Sequence, residues 1–69
     1  MPKRPRLTPQ EAEGTLLKSG FLLARTSGSH RIYVRGAVRV VIPWHAGRVL
    51  HPKIVKQVFR AIEATKPRL

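Results

Sequence analysis

Behind Leu7-Thr8-Pro9-Gln10-Glu11, the apolar residues Ala12, Leu16 and Leu17 recur at helical spacing. Thr8 can cap that helix, Pro9 suits its first position, and Glu11 lies three residues past Thr8, where it completes a capping box. Glu11 and Glu13 fall in the first turn, where the positive end of the helix dipole favours them, and Gly20 supplies a stop. The pattern predicts a first helix over Pro9 to Ser19. Its period then shortens to two. Phe21 to Thr26 reads as a strand and Ser27-Gly28-Ser29 as a turn. His30 to Arg35 alternates, with His30, Ile32 and Val34 on one side and Arg31, Tyr33 and Arg35 on the other. Gly36-Ala37 turns the chain, and Val38 to Ile42 returns as a third strand that Pro43 ends.

Two registers compete for this last pair. A two-residue loop sets Ile32 opposite Val41 and scatters apolar residues over both faces of the sheet. A three-residue loop, Arg35-Gly36-Ala37, gathers Ile32, Val34, Val38, Val40 and Ile42 on one face, and that is the register we expect. Ala46 to Leu50 reads as a loop, and His51-Pro52 opens a last helix. Val55, Val58, Phe59 and Ile62 form its apolar stripe, and it fades near Thr65, before Pro67. The expected fold is α+β, in the order α-β-β-β-α, with a three-stranded antiparallel sheet and two helices on one of its faces. Residues 7–65 form one domain, between tails at 1–6 and 66–69 that are basic, proline-bearing and expected to be mobile.

Composition narrows what such a domain can do. Within 69 residues there are 14 Lys and Arg against 3 carboxylates, a formal charge of +11, yet 42% of the chain is hydrophobic. That apolar share excludes disorder by composition, and the length allows one small core. The absence of cysteine excludes disulfides, thiolate zinc sites and a Cys nucleophile. Val40 to Trp44, the longest wholly apolar stretch, is far short of the ~20 residues of a membrane span, and no apolar run follows the basic N-terminus as in a signal peptide. A soluble, cytoplasmic protein without membrane contact is expected.

The scarcity of carboxylates bears on mechanism as well. Two-metal nucleases hold their ions with carboxylate clusters, and here only Glu11, Glu13 and Glu63 exist. No metal and no cofactor are expected. The charge points to a polyanion, nucleic acid before membrane. Lys53, Lys56 and Arg60 make a basic line on the last helix, near its N-terminus, which suits phosphate although it also describes an ordinary solvated face. Arg31, Tyr33 and Arg35 make a second basic patch with an aromatic, either RNA-contacting or a plain exposed strand face.

His30 is the sharpest single feature, because it follows the turn residues Gly28 and Ser29. RNA carries its own nucleophile in the 2′-OH, so cleavage needs only a base, an acid and cationic stabilisation. Histidine, with an ordinary pKa of ~6.5, suits the first two roles. His45 follows Pro43-Trp44 and falls at the same end of the hairpin in either register. It is an acid/base partner for His30 or a residue that orients the loop, and both readings stand. His51 is an N-cap or a phosphate contact. The three histidines fit no common zinc spacing. Trp44 reads as packing at one end of the core.

Taken in order, these residues resemble the HicA family of bacterial toxins, which are mRNA interferases. The resemblance begins at Leu17-Lys18-Ser19-Gly20-Phe21 and runs through Arg25 to Gly28-Ser29-His30. It continues through Ile32-Tyr33 and Val40-Val41-Ile42-Pro43-Trp44-His45 to Gly47 and the apolar helix, and so covers nearly all of residues 8–62. It implies a fold like that of double-stranded-RNA-binding domains, ribosome-independent cleavage of mRNA, and neutralisation by a HicB-type antitoxin. It also implies that His30 is catalytic on an active-site turn of Gly28 and Ser29, with Arg25 added to the RNA-contacting residues. The chain departs from the family pattern at Ser27, where Lys is frequent, at Arg31, where a second His is frequent, and at Lys53-Ile54, where Gly-Thr is usual. A non-catalytic RNA-binding module of double-stranded-RNA-binding type, of the small basic kind that associates with ribosomes, is the alternative. An architectural DNA-binding protein is a third class, without a recognition-helix signature.

Overall fold

The computed structural model describes residues 6–45 and 48–65, so the expected tails at 1–6 and 66–69 lie outside the described residues except for Arg6. The first helix, α1 (Pro9–Lys18), starts as its sequence dictates. Glu11 N–H donates to Thr8 Oγ1 at 3.2 Å and Thr8 N–H donates to Glu11 Oε1 at 2.9 Å, which closes the capping box. Ser19 caps the other end, and Gly20 takes the left-handed conformation (φ 91°) that lets Phe21 turn back into the core.

Three strands follow: β1 (Leu22–Ser27), β2 (His30–Arg35) and β3 (Val38–Pro43), antiparallel in the order β1-β2-β3. Both hairpins have two-residue loops, Gly28-Ser29 and Gly36-Ala37. Each has its glycine at positive φ (57° and 59°) and no positive φ at the residue after it. Glycine first in a two-residue loop is the type II′ requirement, whose twist matches that of the strands. The chain closes with α2 (Pro52–Thr65), laid against β3 and α1. His51 caps it as one of the two expected roles: Lys53 N–H donates to His51 Nδ1 at 3.0 Å.

The register corrects the expectation of a three-residue loop. Arg35 pairs with Val38, Tyr33 with Val40 and Ile32 with Val41. Tyr33, not Ile32, therefore faces the helices, and it is fully buried with Val40, Ile42, Phe21, Leu16 and Val58. Ile32, Val34 and Val41 lie half-buried on the opposite, open face, and Leu22 pairs with Val34 there at 69% exposure. The physical reason is size. One Tyr ring fills more of the space under two helices than a valine, and an antiparallel sheet can leave its second face to water. The stripe of α2 is also rotated from the expected one. Val55, Val58 and Ala61 are buried, while Phe59 is 40% exposed at its margin.

One irregularity interrupts β1. Leu23 pairs with Tyr33 but Arg25 with Ile32, so Ala24 is an extra residue, a β-bulge. Among the described residues no helix is long and apolar enough to cross a membrane.

Candidate active site

The backbone of His30 is fixed from both sides. It pairs with Ser27 across the Gly28-Ser29 turn and with Pro43 on β3, and just beyond it Trp44 N–H donates to Ser29 C=O at 2.5 Å. Its side chain is exposed, on the open face by strand alternation, and its ring has no hydrogen-bond partner among the described residues. The histidine is thus held in place and left available.

The other face of the same strand is occupied. Arg31 Nη1 donates to Glu13 Oε2 at 3.1 Å, and its guanidinium lies 3.8 Å from the centroid of the Trp44 ring. The Tyr33 hydroxyl donates to the same Glu13 oxygen at 2.5 Å. Arg35 Nη1 donates to Ser19 C=O at 2.5 Å and to Thr65 Oγ1 at 3.3 Å, so it ties the C-terminal ends of both helices to β2. The expected patch of Arg31, Tyr33 and Arg35 therefore lies on the face toward the helices, with Tyr33 buried, Arg31 half-buried and Arg35 exposed. Tyr33 offers no surface to a base, and the two arginines already hold internal partners. That placement follows directly from the register. Trp44 packs against the core as expected.

Glu13, the residue that joins α1 to β2, was expected only to sit in a helix first turn. Its second role spans 18 and 20 residues of chain, a separation that leaves no local signature. One consequence is measurable. Burial pushes the Tyr33 phenol well above its ordinary range, and the hydrogen bond to Glu13 and that carboxylate's charge push the same way, while Arg31 opposes them. The unfolded chain loses the phenol proton from about pH 10, and the folded chain keeps it. Above that pH the unfolded state binds fewer protons, so stability falls as pH rises, while below it the contribution is fully present. Urea unfolding across alkaline pH should show this decline in the wild type. Tyr33→Phe should flatten it, and an unchanged slope in the Phe variant would reject the assignment.

The remaining candidates are spread over three places. Arg25, on β1 opposite Ile32, shares the open face with His30, as does Arg39, opposite Val34. Both are exposed. The expected register set Arg39 on the face of Arg31, Tyr33 and Arg35; the observed pairing with Val34 puts it on the face of His30 instead. Lys53, Lys56 and Arg60, with Gln57, line a shallow groove of ≈ 190 Å³ on the outer side of α2, and the ion pair found among the described residues, Arg31–Glu13, includes none of them. His45 lies past the end of β3. Its carbonyl accepts from Arg48 N–H, and it lines a cleft of ≈ 220 Å³ with His51, Arg48 and Pro43. His30 is not part of that cleft. Among the described residues no three His, Cys, Asp or Glu come together as metal ligands would.

An α-β-β-β-α domain with an exposed histidine after a glycine hairpin, and with Lys53, Lys56 and Arg60 along one helix, is a small basic α+β domain. Residues 9–64, from the first turn of α1 to the last turn of α2, match the family model described as the HicA toxin of bacterial toxin-antitoxin. The chain belongs to that family, and is a toxin of the toxin-antitoxin kind. Comparison with curated proteins and with solved structures gave no match.

Proposed function

We propose that this toxin is an endoribonuclease that cleaves mRNA by metal-independent acid/base chemistry at His30. The observation that carries the reading is the state of that residue: its backbone stands in register between two strands, and its ring is exposed without a hydrogen-bond partner among the described residues. His30 takes the proton from a ribose 2′-OH, the freed oxygen attacks the adjacent phosphorus, and the 5′-oxygen leaves with a proton from an acid. Arg25 and Arg39 share the face of His30 and offer charge to the crowded phosphorus. His45 is the candidate acid, brought by β3 to the same end of the sheet. Lys53, Lys56 and Arg60 carry the RNA backbone along α2. A HicB-type antitoxin neutralises the toxin by covering His30, and an acidic surface on it would speed the encounter with a +11 chain.

Purified toxin incubated with RNA in excess EDTA should cleave it, and the new 3′ ends should carry 2′,3′-cyclic phosphate. RNA that stays intact at enzyme excess, while binding with a steep salt dependence, would instead establish a non-catalytic RNA-binding module.

A further inference from the structure

We infer that the outer edge of β3, with the flank of α2 beside it, is a docking groove for an extended acidic segment of a partner protein, which joins the sheet as a fourth strand. β3 is an edge strand. Its pairing with β2 begins at Arg35–Val38 across a two-residue loop, so Val38, Val40 and Ile42 spend their main-chain groups on β2. The bond from Trp44 N–H to Ser29 C=O keeps the same parity. The N–H and C=O groups of Arg39 and Val41 therefore point outward, an open template for another strand. Pro43, next in that series, has no N–H and ends the template.

Beside this edge lies a groove of ≈ 570 Å³, lined by Arg39 and Val41 on one side and by Gln57, Arg60, Ala61 and Ala64 on the other. The two alanines leave α2 low where an added main chain would run, about 4.8 Å from β3. Glu11 serves the cap of α1 and Glu13 serves Arg31 and Tyr33, and the ion pair found among the described residues, Arg31–Glu13, includes neither Arg39 nor Arg60. A second copy of the chain is disfavoured, because it would bring the same arginines and another +11 to the edge. RNA suits the edge poorly, because carbonyl acceptors alternate with the N–H donors and an apolar wall of alanines lies behind them. An extended segment with acidic side chains satisfies the main-chain template, and strand alternation turns its carboxylates either toward Arg39 on the open face or toward Arg60 beside α2. The groove spans the end of β3 near the Gly36-Ala37 turn, whereas His30 faces Pro43 at the other end. Docking here leaves His30 uncovered, and does not depend on RNA cleavage at that residue.

The test uses a capped peptide of alternating Glu and Val residues and amide exchange of the whole toxin followed by NMR. Exchange at Arg39 and Val41 should slow, by roughly tenfold when free peptide stands at ten times its Kd, and Val38 and Val40 should change little. The same peptide with Lys for Glu should give no slowing, and Arg39→Glu with Arg60→Glu should reverse the preference between the two peptides. Val41→Pro removes one outward N–H without touching the ladder to β2, and should weaken the Glu-Val peptide. If that variant fails to fold, the charge-reversal pair still decides. Peptide binding that leaves Arg39 and Val41 exchange unchanged would overturn the inference. So would equal protection by the Lys peptide, protection that appears with toxin concentration alone, or protection by an RNA oligomer but not by the Glu-Val peptide.

Discussion

His30→Ala should lower RNA cleavage by about 10²–10⁴-fold, the usual worth of a positioned acid or base. The fold should survive, because the side chain is exposed and touches nothing in the core, and exposed substitutions of this kind stay within about 0.5 kcal/mol. RNA affinity should also persist, since the cations on α2 and the open face are untouched. Single-turnover cleavage, salt-dependent RNA binding and thermal unfolding, measured on one preparation, separate these outcomes. A folded Ala variant that cleaves at the wild-type rate would remove His30 from the mechanism and leave His45 to be tried alone.

The second large effect concerns the core. Tyr33→Ala empties the centre of the only hydrophobic cluster among the described residues and should cost about 3–5 kcal/mol. A domain this small rarely holds more than ~3–5 kcal/mol in all, so the variant should be largely unfolded at room temperature. Tyr33→Phe keeps the ring and loses one hydrogen bond to Glu13, so it should cost about 1 kcal/mol. Urea titrations followed by circular dichroism give both values. Near-native stability in Tyr33→Ala would mean that the ring lies outside the core, as the three-residue loop required.

That contrast shows where the sequence was legible. Helix ends were, because capping is chemistry between near neighbours: Thr8 with Glu11, and His51 with Lys53, announce themselves over two or three positions. The strands were legible too, with His30–Arg35 matched at both ends. Register was not, because Ile32, Tyr33 and Val34 are apolar in succession and period-two reasoning cannot say which parity faces the helices. Sorting by aliphatic count chose wrongly. Turn chemistry would have chosen rightly, since Gly28-Ser29 and Gly36-Ala37 are the same two-residue pattern. The site divided along the same line. His30 and the cations of α2 stand where expected, on exposed surface, but the roles of Arg31, Tyr33 and Arg35 turned with the register. Their partners, Glu13, Ser19 and Thr65, lie 16 to 30 residues away and could be found only in three dimensions.

The bulge at Ala24 gives this sheet a direction. A strand that carries an extra residue twists away from regular pairing, and so presents a poor template on its outer side. β1 and β3 are both edge strands, and the irregularity falls on β1, so β3 is the more regular template of the two. A guest strand added at β3 would meet regular spacing along the whole template, whereas one added at β1 would have to follow the kink at Ala24.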